Sequence, residues 1–168
     1  SPWLLSAAEH ELERRHWDMV YVSTTDYIPH KYGPEAPEAE EYVRHLDEGL
    51  RKISEMGVAL GIVADHGMNA KTVCLDLVQL LAEARIEGRF VAAIKDEHVV
   101  HHQNLGGSAY IYVKEGLEQA RDVIASAEGV ESVYTRAESA SQFRLPISRI
   151  GDLLVLAEAE YTFGTGFG

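Results

Sequence analysis

Two short polar strings carry the residue types that do metal chemistry. The first is Thr24-Thr25-Asp26-Tyr27-Ile28-Pro29-His30-Lys31, and the second is Asp65-His66-Gly67-Met68-Asn69. Carboxylate oxygen beside neutral imidazole nitrogen is a zinc-type ligand set. His30 lies four positions after Asp26, so the pair converges on one ion only if the backbone turns between them. Pro29 favours a turn there and disfavours helical geometry at Ile28. Asp65 and His66 follow an apolar run, where a buried carboxylate is costly unless something neutralises it. Gly67 would let the backbone pass close to a ligand. Each string also has an ordinary reading. Asp26 can cap the next element with His30 in a surface loop, and Asp65 can be a helix N-cap beside an exposed His66.

The elements that must position these strings follow from hydrophobic spacing. Asp18 to Thr25 is a short apolar, β-branched run, and Val58 to Ala64 is apolar throughout. Both predict strands, the second buried on both faces of a parallel sheet. Between them Pro29, Gly33, Pro34 and Pro37 impose a loop. Ala39, Tyr42, Val43, Leu46, Leu50 and Ile53 then advance at helical spacing until Gly57, predicting a helix over 38–56. A further amphipathic helix is expected over 4–16. Strand, loop, helix, strand, loop is a βαβ unit with a right-handed crossover. Both polar strings then fall at strand C-terminal ends, where open α/β sheets bind ligands.

Beyond residue 72 the rhythm changes. The pattern predicts a helix over 73–86, a strand over 89–95, and a turn-rich stretch with His98, His101 and His102. A strand over 108–113, a helix over 115–127, and strands over 130–135 and 152–157 follow. Short turns between them indicate an antiparallel α+β module. Tyr110, Tyr112, Tyr134 and Phe143 are expected to pack it. Adjacent His101 and His102 would point to opposite faces of an extended segment, so no metal role is assigned to them. The expected organisation is 1–72 as part of an α/β core, 73–160 as an α+β cap-like module, and 161–168 as a glycine-rich loop.

Composition bounds the partners. The chain has 168 residues, 46% hydrophobic and 25% charged, which is globular rather than disordered composition. Lys+Arg number 15 against 27 Asp+Glu, so 15 − 27 = −12. Such a surface repels nucleic acid and anionic membranes. A small anionic substrate would need local positive charge. Cys74 is the one cysteine, so no internal disulfide marks an oxidising compartment; its apolar neighbours predict a buried thiol. No apolar run is long enough to span a membrane, and a cytoplasmic location is expected.

The strings Thr24-Thr25-Asp26-Tyr27-Ile28 to His30-Lys31 and Ala64-Asp65-His66-Gly67-Met68-Asn69-Ala70-Lys71, one helix and one strand apart, resemble the alkaline phosphatase superfamily. Within it they are similar to the nucleotide pyrophosphatase/phosphodiesterase-like branch, and there to the phosphonoacetate hydrolases. His101-His102 followed by Leu105-Gly106, and the segment from Arg149 to Val155, extend that resemblance. It implies a portion of an alkaline-phosphatase-like parallel sheet with helices, plus a smaller α+β cap. It also implies two zinc ions, other divalent ions remaining open: one on Asp26 and His30, the other on Asp65 and His66. The implied reaction cleaves the carbon–phosphorus bond of phosphonoacetate, a small anionic phosphonate, with a nucleophilic threonine and further ligands outside this chain. Lys31 and Lys71 are candidates to bind the substrate carboxylate, or are surface lysines. Two ligands per zinc imply weak metal binding and little turnover by the chain alone. A phosphodiesterase or nucleotide pyrophosphatase, and a non-catalytic metal-binding module, stay open as alternatives, as does an oligomer.

Overall fold

A computed structural model describes residues 2–92 and 106–164. The chain divides into two compact units, Ser1–Ala70 and Lys71–Gly168. His98, His101 and His102, the end of the strand expected over 89–95, and the close of the glycine-rich loop lie outside the described residues.

The first unit is built on α1 (Pro2–Arg14), α2 (Tyr27–Lys31) and α3 (Pro37–Glu55). Pro37 opens α3, where its missing N–H costs nothing, and Glu38 and Glu40 sit in the first turn, matching the helix dipole. Gly57 follows the last turn with φ +76°, a left-handed stop that favours glycine. The apolar stripe of α3 packs on α1 through Leu5, Ala8 and Ile53, with Leu12, Val22, Leu46 and Leu50 around them. Gly49 permits this approach: a Cβ there would lie 2.7 Å from Leu5 Cδ1 and 2.8 Å from Leu5 Cβ.

The two strands expected in this unit do not form. Segments 18–25 and 58–64 join no helix or ladder among the described residues, and apart from Val22 their apolar side chains stand in solvent, Met19 at 85% and Val63 at 93% exposure. A central parallel strand takes its hydrogen bonds from neighbours on both sides; neither segment has one among the described residues. The loop expected after Asp26 is corrected too, since residues 27–31 are helical. Pro29 is tolerated because it falls in the first turn, where an N–H has no partner in any case.

The second unit holds β1 (Val73–Leu75), α4 (Leu77–Glu83), β2 (Gly88–Ala92), β3 (Ser108–Val113), α5 (Leu117–Ala125), β4 (Val130–Thr135), α6 (Arg136–Phe143), β5 (Leu153–Ala157) and β6 (Tyr161–Phe163). An antiparallel sheet in the order β2-β3-β5-β4 forms its body, and β1 pairs with β6 in parallel. Alternate residues Ala109, Ile111, Leu153 and Val155 meet Leu77, Leu81, Ala120 and Ile124 in one buried cluster. Tyr134 and Phe143 meet edge to face at 5.2 Å. The expected helix over 73–86 resolves into β1 and α4, with Asp76 accepting from the Val78 and Gln79 amides at the start of α4. Cys74 is exposed, not buried, because among the described residues β1 pairs on one side only. Partial burial, with Asp76 nearby, still pushes its thiol pKa up. The unexpected α6 begins with a reciprocal cap. Thr135 N–H donates to Glu138 Oε2 at 2.7 Å, and Glu138 N–H donates to Thr135 Oγ1 at 3.3 Å. Asp152 ties the sheet together, accepting from Arg136 Nη2 at 2.7 Å and from the Val113 amide at 3.0 Å.

Three outcomes are expected. Gly49→Ala gains about 1 kcal/mol of helix propensity but overpacks Leu5 by about 1–3 kcal/mol, so denaturant unfolding should show a net loss. Asp152→Ala should destabilise the sheet by about 2 kcal/mol, the worth of charge-assisted hydrogen bonds. Amides of 18–25 and 58–64 should exchange within the first time points of a hydrogen-exchange series, while Ile111 and Val155 stay protected.

Candidate functional site

One turn of α2 sets the first pair. Asp26 stands at its N-cap and His30 one turn on, with His30 N–H donating to Asp26 O at 3.0 Å. At that spacing side chains share a face, and His30 Nε2 meets Asp26 Oδ2 at 2.8 Å. The Asp26 carboxylate makes no cap hydrogen bond, so the capping alternative fails. Thr25 takes over part of that work, its hydroxyl accepting weakly from Tyr27 N–H at 3.4 Å. Tyr42 on α3 donates its hydroxyl to Thr25 O at 2.7 Å, fixing the backbone just before the ligand pair.

The second string comes to the same place. The His66 ring lies 5.8 Å from that of His30, centroid to centroid, with the planes at 63°. Ligand atoms of Asp26, His30 and His66 all lie within 4.8 Å of one another. His66 Nδ1 faces Gly67 O at 2.9 Å. A carbonyl can only accept, so Nδ1 is the donor, which in a neutral imidazole leaves the lone pair on Nε2. Such an outer bond is how metal-ligating imidazoles are oriented.

Asp65 behaves differently from the expected buried ligand. Its side chain is 89% exposed, Oδ2 stands 3.7 Å from His66 Nε2, and Oδ1 accepts from His66 N–H at 3.1 Å. No helix begins at Asp65, so the N-cap alternative fails as well. The apolar run before it is itself exposed, which removes the desolvation that would have demanded a counter-ion. A Cβ on Gly67 would meet nothing within 4 Å, leaving open space in front of the string.

The lysines separate. Lys31 Nζ stands 5.8 Å from the centre of the Tyr27 ring and 5.4 Å from that of Tyr32; Tyr27, then Tyr32, push its pKa up. Lys71 belongs to the second unit. Its ammonium donates to Ala159 O at 2.9 Å, and partial burial pulls its pKa down. Tyr42 and Tyr32 join the neighbourhood of the site without having been expected there. Tyr42 advances with the apolar stripe of α3 and carries no separate sign in the sequence.

Residues 2–168 match the family model described as type I phosphodiesterase/nucleotide pyrophosphatase. Among solved structures, a phosphonoacetate hydrolase from Sinorhizobium meliloti 1021, in complex with phosphonoacetate, is 30% identical with a TM-score of 0.87. That match covers 98% of this chain and 42% of the other. The same hydrolase with phosphonoformate matches at 29% identity and a TM-score of 0.86, with the same coverage. Murine ectonucleotide pyrophosphatase/phosphodiesterase 5 matches at 14% identity and a TM-score of 0.53, over 86% of this chain and 38% of its own; it shares the fold. The chain thus spans 42% of the length of the hydrolase it resembles at 30% identity. Its mixed α/β architecture, with a parallel pair and an antiparallel sheet, is that of the alkaline-phosphatase-like relatives. No helix among the described residues is long and apolar enough to cross a membrane.

Tyr42→Phe removes the hydroxyl that holds Thr25 O. It should cost about 1 kcal/mol of stability and broaden the backbone amide signals of 24–26 in a heteronuclear spectrum, with α1 unchanged.

Proposed function

We propose, for a chain that belongs to the type I phosphodiesterase/nucleotide pyrophosphatase family, that the whole protein is a metal-dependent hydrolase acting on phosphonoacetate. The convergence of Asp26, His30 and His66 carries the reading, because two imidazoles and a carboxylate from separate segments meet within 4.8 Å. That donor set fits a zinc-type ion. Asp26 and His30 would hold one ion, with His66 and Asp65 this chain's contribution to a second. When bound, the ions supply positive charge and Lewis-acid polarisation of phosphonate oxygens, offsetting the −12 net charge that repels an anion. The likeness to a phosphonoacetate hydrolase at 30% identity supports the narrower substrate.

The reaction exchanges a carbon–phosphorus bond for an oxygen–phosphorus bond. The carbon leaves with the electron pair, takes a proton and departs as acetate, and water finally releases phosphate. A threonine outside these 168 residues serves as nucleophile in this reading. Thr25 is unsuited to that role, since its hydroxyl meets Tyr27 N–H and its carbonyl is held by Tyr42. Asp26 keeps His30 oriented through the 2.8 Å contact, as Gly67 O keeps His66 oriented through Nδ1. Lys31 follows His30 directly and keeps its charge, so it is the better partner for a substrate carboxylate. Lys71 is occupied by Ala159 O.

The complete protein should release phosphate from phosphonoacetate far faster than it cleaves nitrophenyl phosphodiesters. A reversed preference returns the assignment to general phosphodiesterase chemistry, and tight zinc binding with no turnover of either leaves a non-catalytic module. Chelation should abolish activity and zinc restore it. Lys31→Met should raise KM for phosphonoacetate about tenfold, the worth of one charge-assisted contact, with kcat little changed. Lys71→Met should instead lower Tm while leaving KM within about twofold, because its cost falls on a single internal hydrogen bond.

A further inference from the structure

We infer that the second unit carries a self-association surface: two copies of this chain lie antiparallel along β4, and the cationic stretch 143–149 of each meets the carboxylates of Glu128, Glu158 and Glu160 on the other. The inference stands apart from the proposed hydrolysis and uses no residue of the candidate metal site.

The cationic side is a shaped surface. Between Glu138 and Asp152 the chain holds no Asp or Glu, while Arg144 and Arg149 stand there exposed. Lys114, Arg121 and Arg136 each meet a carboxylate; Arg144 and Arg149 meet none among the described residues. Beside them Phe143 and Ile147 are 39% and 55% exposed, and arginine next to an aromatic ring is the composition of binding hot spots. Arg144 has φ +54°, a left-handed helix stop that favours glycine, so arginine is kept there at a cost in backbone strain. Leu145 N–H donates to Ala140 O at 3.2 Å and Arg149 N–H to Pro146 O at 2.8 Å, which hold the stretch in one shape.

The complementary charge lies in the same unit. Lost hydration, then Glu128, Glu158 and Glu160, push the Tyr161 hydroxyl pKa up, so the three exposed carboxylates gather round one ring. None of them meets Lys or Arg among the described residues. Register puts the two charges at opposite ends of one strand pair. Val130 pairs with Ala157, beside Glu128 and Glu158, whereas Thr135 pairs with Leu153; there Phe143 meets Tyr134 at 5.2 Å. Five steps along β4 separate the ends by about 17 Å. Among the described residues β4 has β5 on one side and nothing on the other. Two copies related by a twofold axis across that open edge run antiparallel, so each cationic end faces the other copy's carboxylates, and both contacts form at once. The irregularity between Val130 and Ser132 interrupts a continuous ladder between copies, which leaves the ends to carry the contact. An unrelated acidic partner would fill one end and leave the other unmatched. The net charge of −12 repels at long range, but at physiological salt charges beyond about 8 Å are screened, and the groups that meet decide.

The test is sedimentation equilibrium of the complete protein, where a monomer–dimer equilibrium is expected. Arg144→Glu with Arg149→Glu should weaken the dimer by more than about tenfold, as reversal of close interfacial charge pairs does. Glu158→Lys with Glu160→Lys should do the same. Each variant sets like charges at both contacts of its own dimer, yet an equimolar mixture of the two has attraction at both, so dimer should return on mixing. Arg144→Gly relieves the backbone rather than straining it and should still weaken the dimer about fivefold or more. A protein that stays monomeric overturns the inference. So do species larger than a dimer that grow with concentration, which mark head-to-tail contact, and a dimer unchanged by Arg144→Gly. Well-folded charge variants whose mixture stays monomeric overturn it too. Phosphonoacetate turnover is scored separately: a monomeric hydrolase loses this inference and keeps the proposed function, and a dimer that answers to charge reversal but is inert toward phosphonates does the reverse.

Discussion

The contact between Asp26 and His30 depends on a single turn of helix, and the candidate site depends on that contact. A five-residue helix contributes little stability by itself, since nucleation is costly and few hydrogen bonds repay it. It is held from outside. Tyr42, anchored on α3, fixes the Thr25 carbonyl that leads into the turn, and α3 is in turn seated on α1 through Leu5, Ala8 and Ile53. A chain of packing thus runs from a helix–helix interface of ordinary aliphatic residues to the position of one carboxylate. Gly49 belongs to it as much as any polar residue, because it sets how near the two helices come.

The second string reaches the same place by other means. Residues 58–69 carry no regular hydrogen-bond ladder, so the direction of the His66 ring is fixed locally, by the carbonyl of the next residue. One imidazole is positioned by secondary structure and the other by a bond to adjacent backbone. The difference has a physical consequence. His30 is braced by a turn of helix, while the direction of His66 depends on one bond to its own neighbour.

Much of this is legible in the residues. Type and spacing single out Asp26, His30 and His66, and these three meet. They single out Asp65 too, but on an argument from burial that fails because the run before it lies in solvent. Helices α1 and α3 follow from apolar spacing and the glycine stop, and β3 and β4 from β-branched and aromatic runs. Reading apolar runs as strands succeeds where a partner strand is present and fails at 18–25 and 58–64. Composition records the wish to be buried, whereas a ladder needs a neighbour. The turn at 27–31 escapes a reading that weighs Pro29 as a breaker without counting its place in the first turn. The start of α6 is written in the sequence as Thr135 followed three residues later by Glu138, a recognisable cap pattern whose weight a strand-centred reading overlooks.

The parallel register of β1 with β6 sets Val73 beside Tyr161 and Leu75 beside Phe163. Neighbouring strands lie about 4.8 Å apart, so the stretch between β1 and β6 leaves and returns at almost one point. A segment whose two ends share a doorway can be lengthened, replaced or exchanged for another fold without altering the spacing of whatever flanks it. Evolution can therefore remodel what lies between β1 and β6 while the two paired strands keep their register.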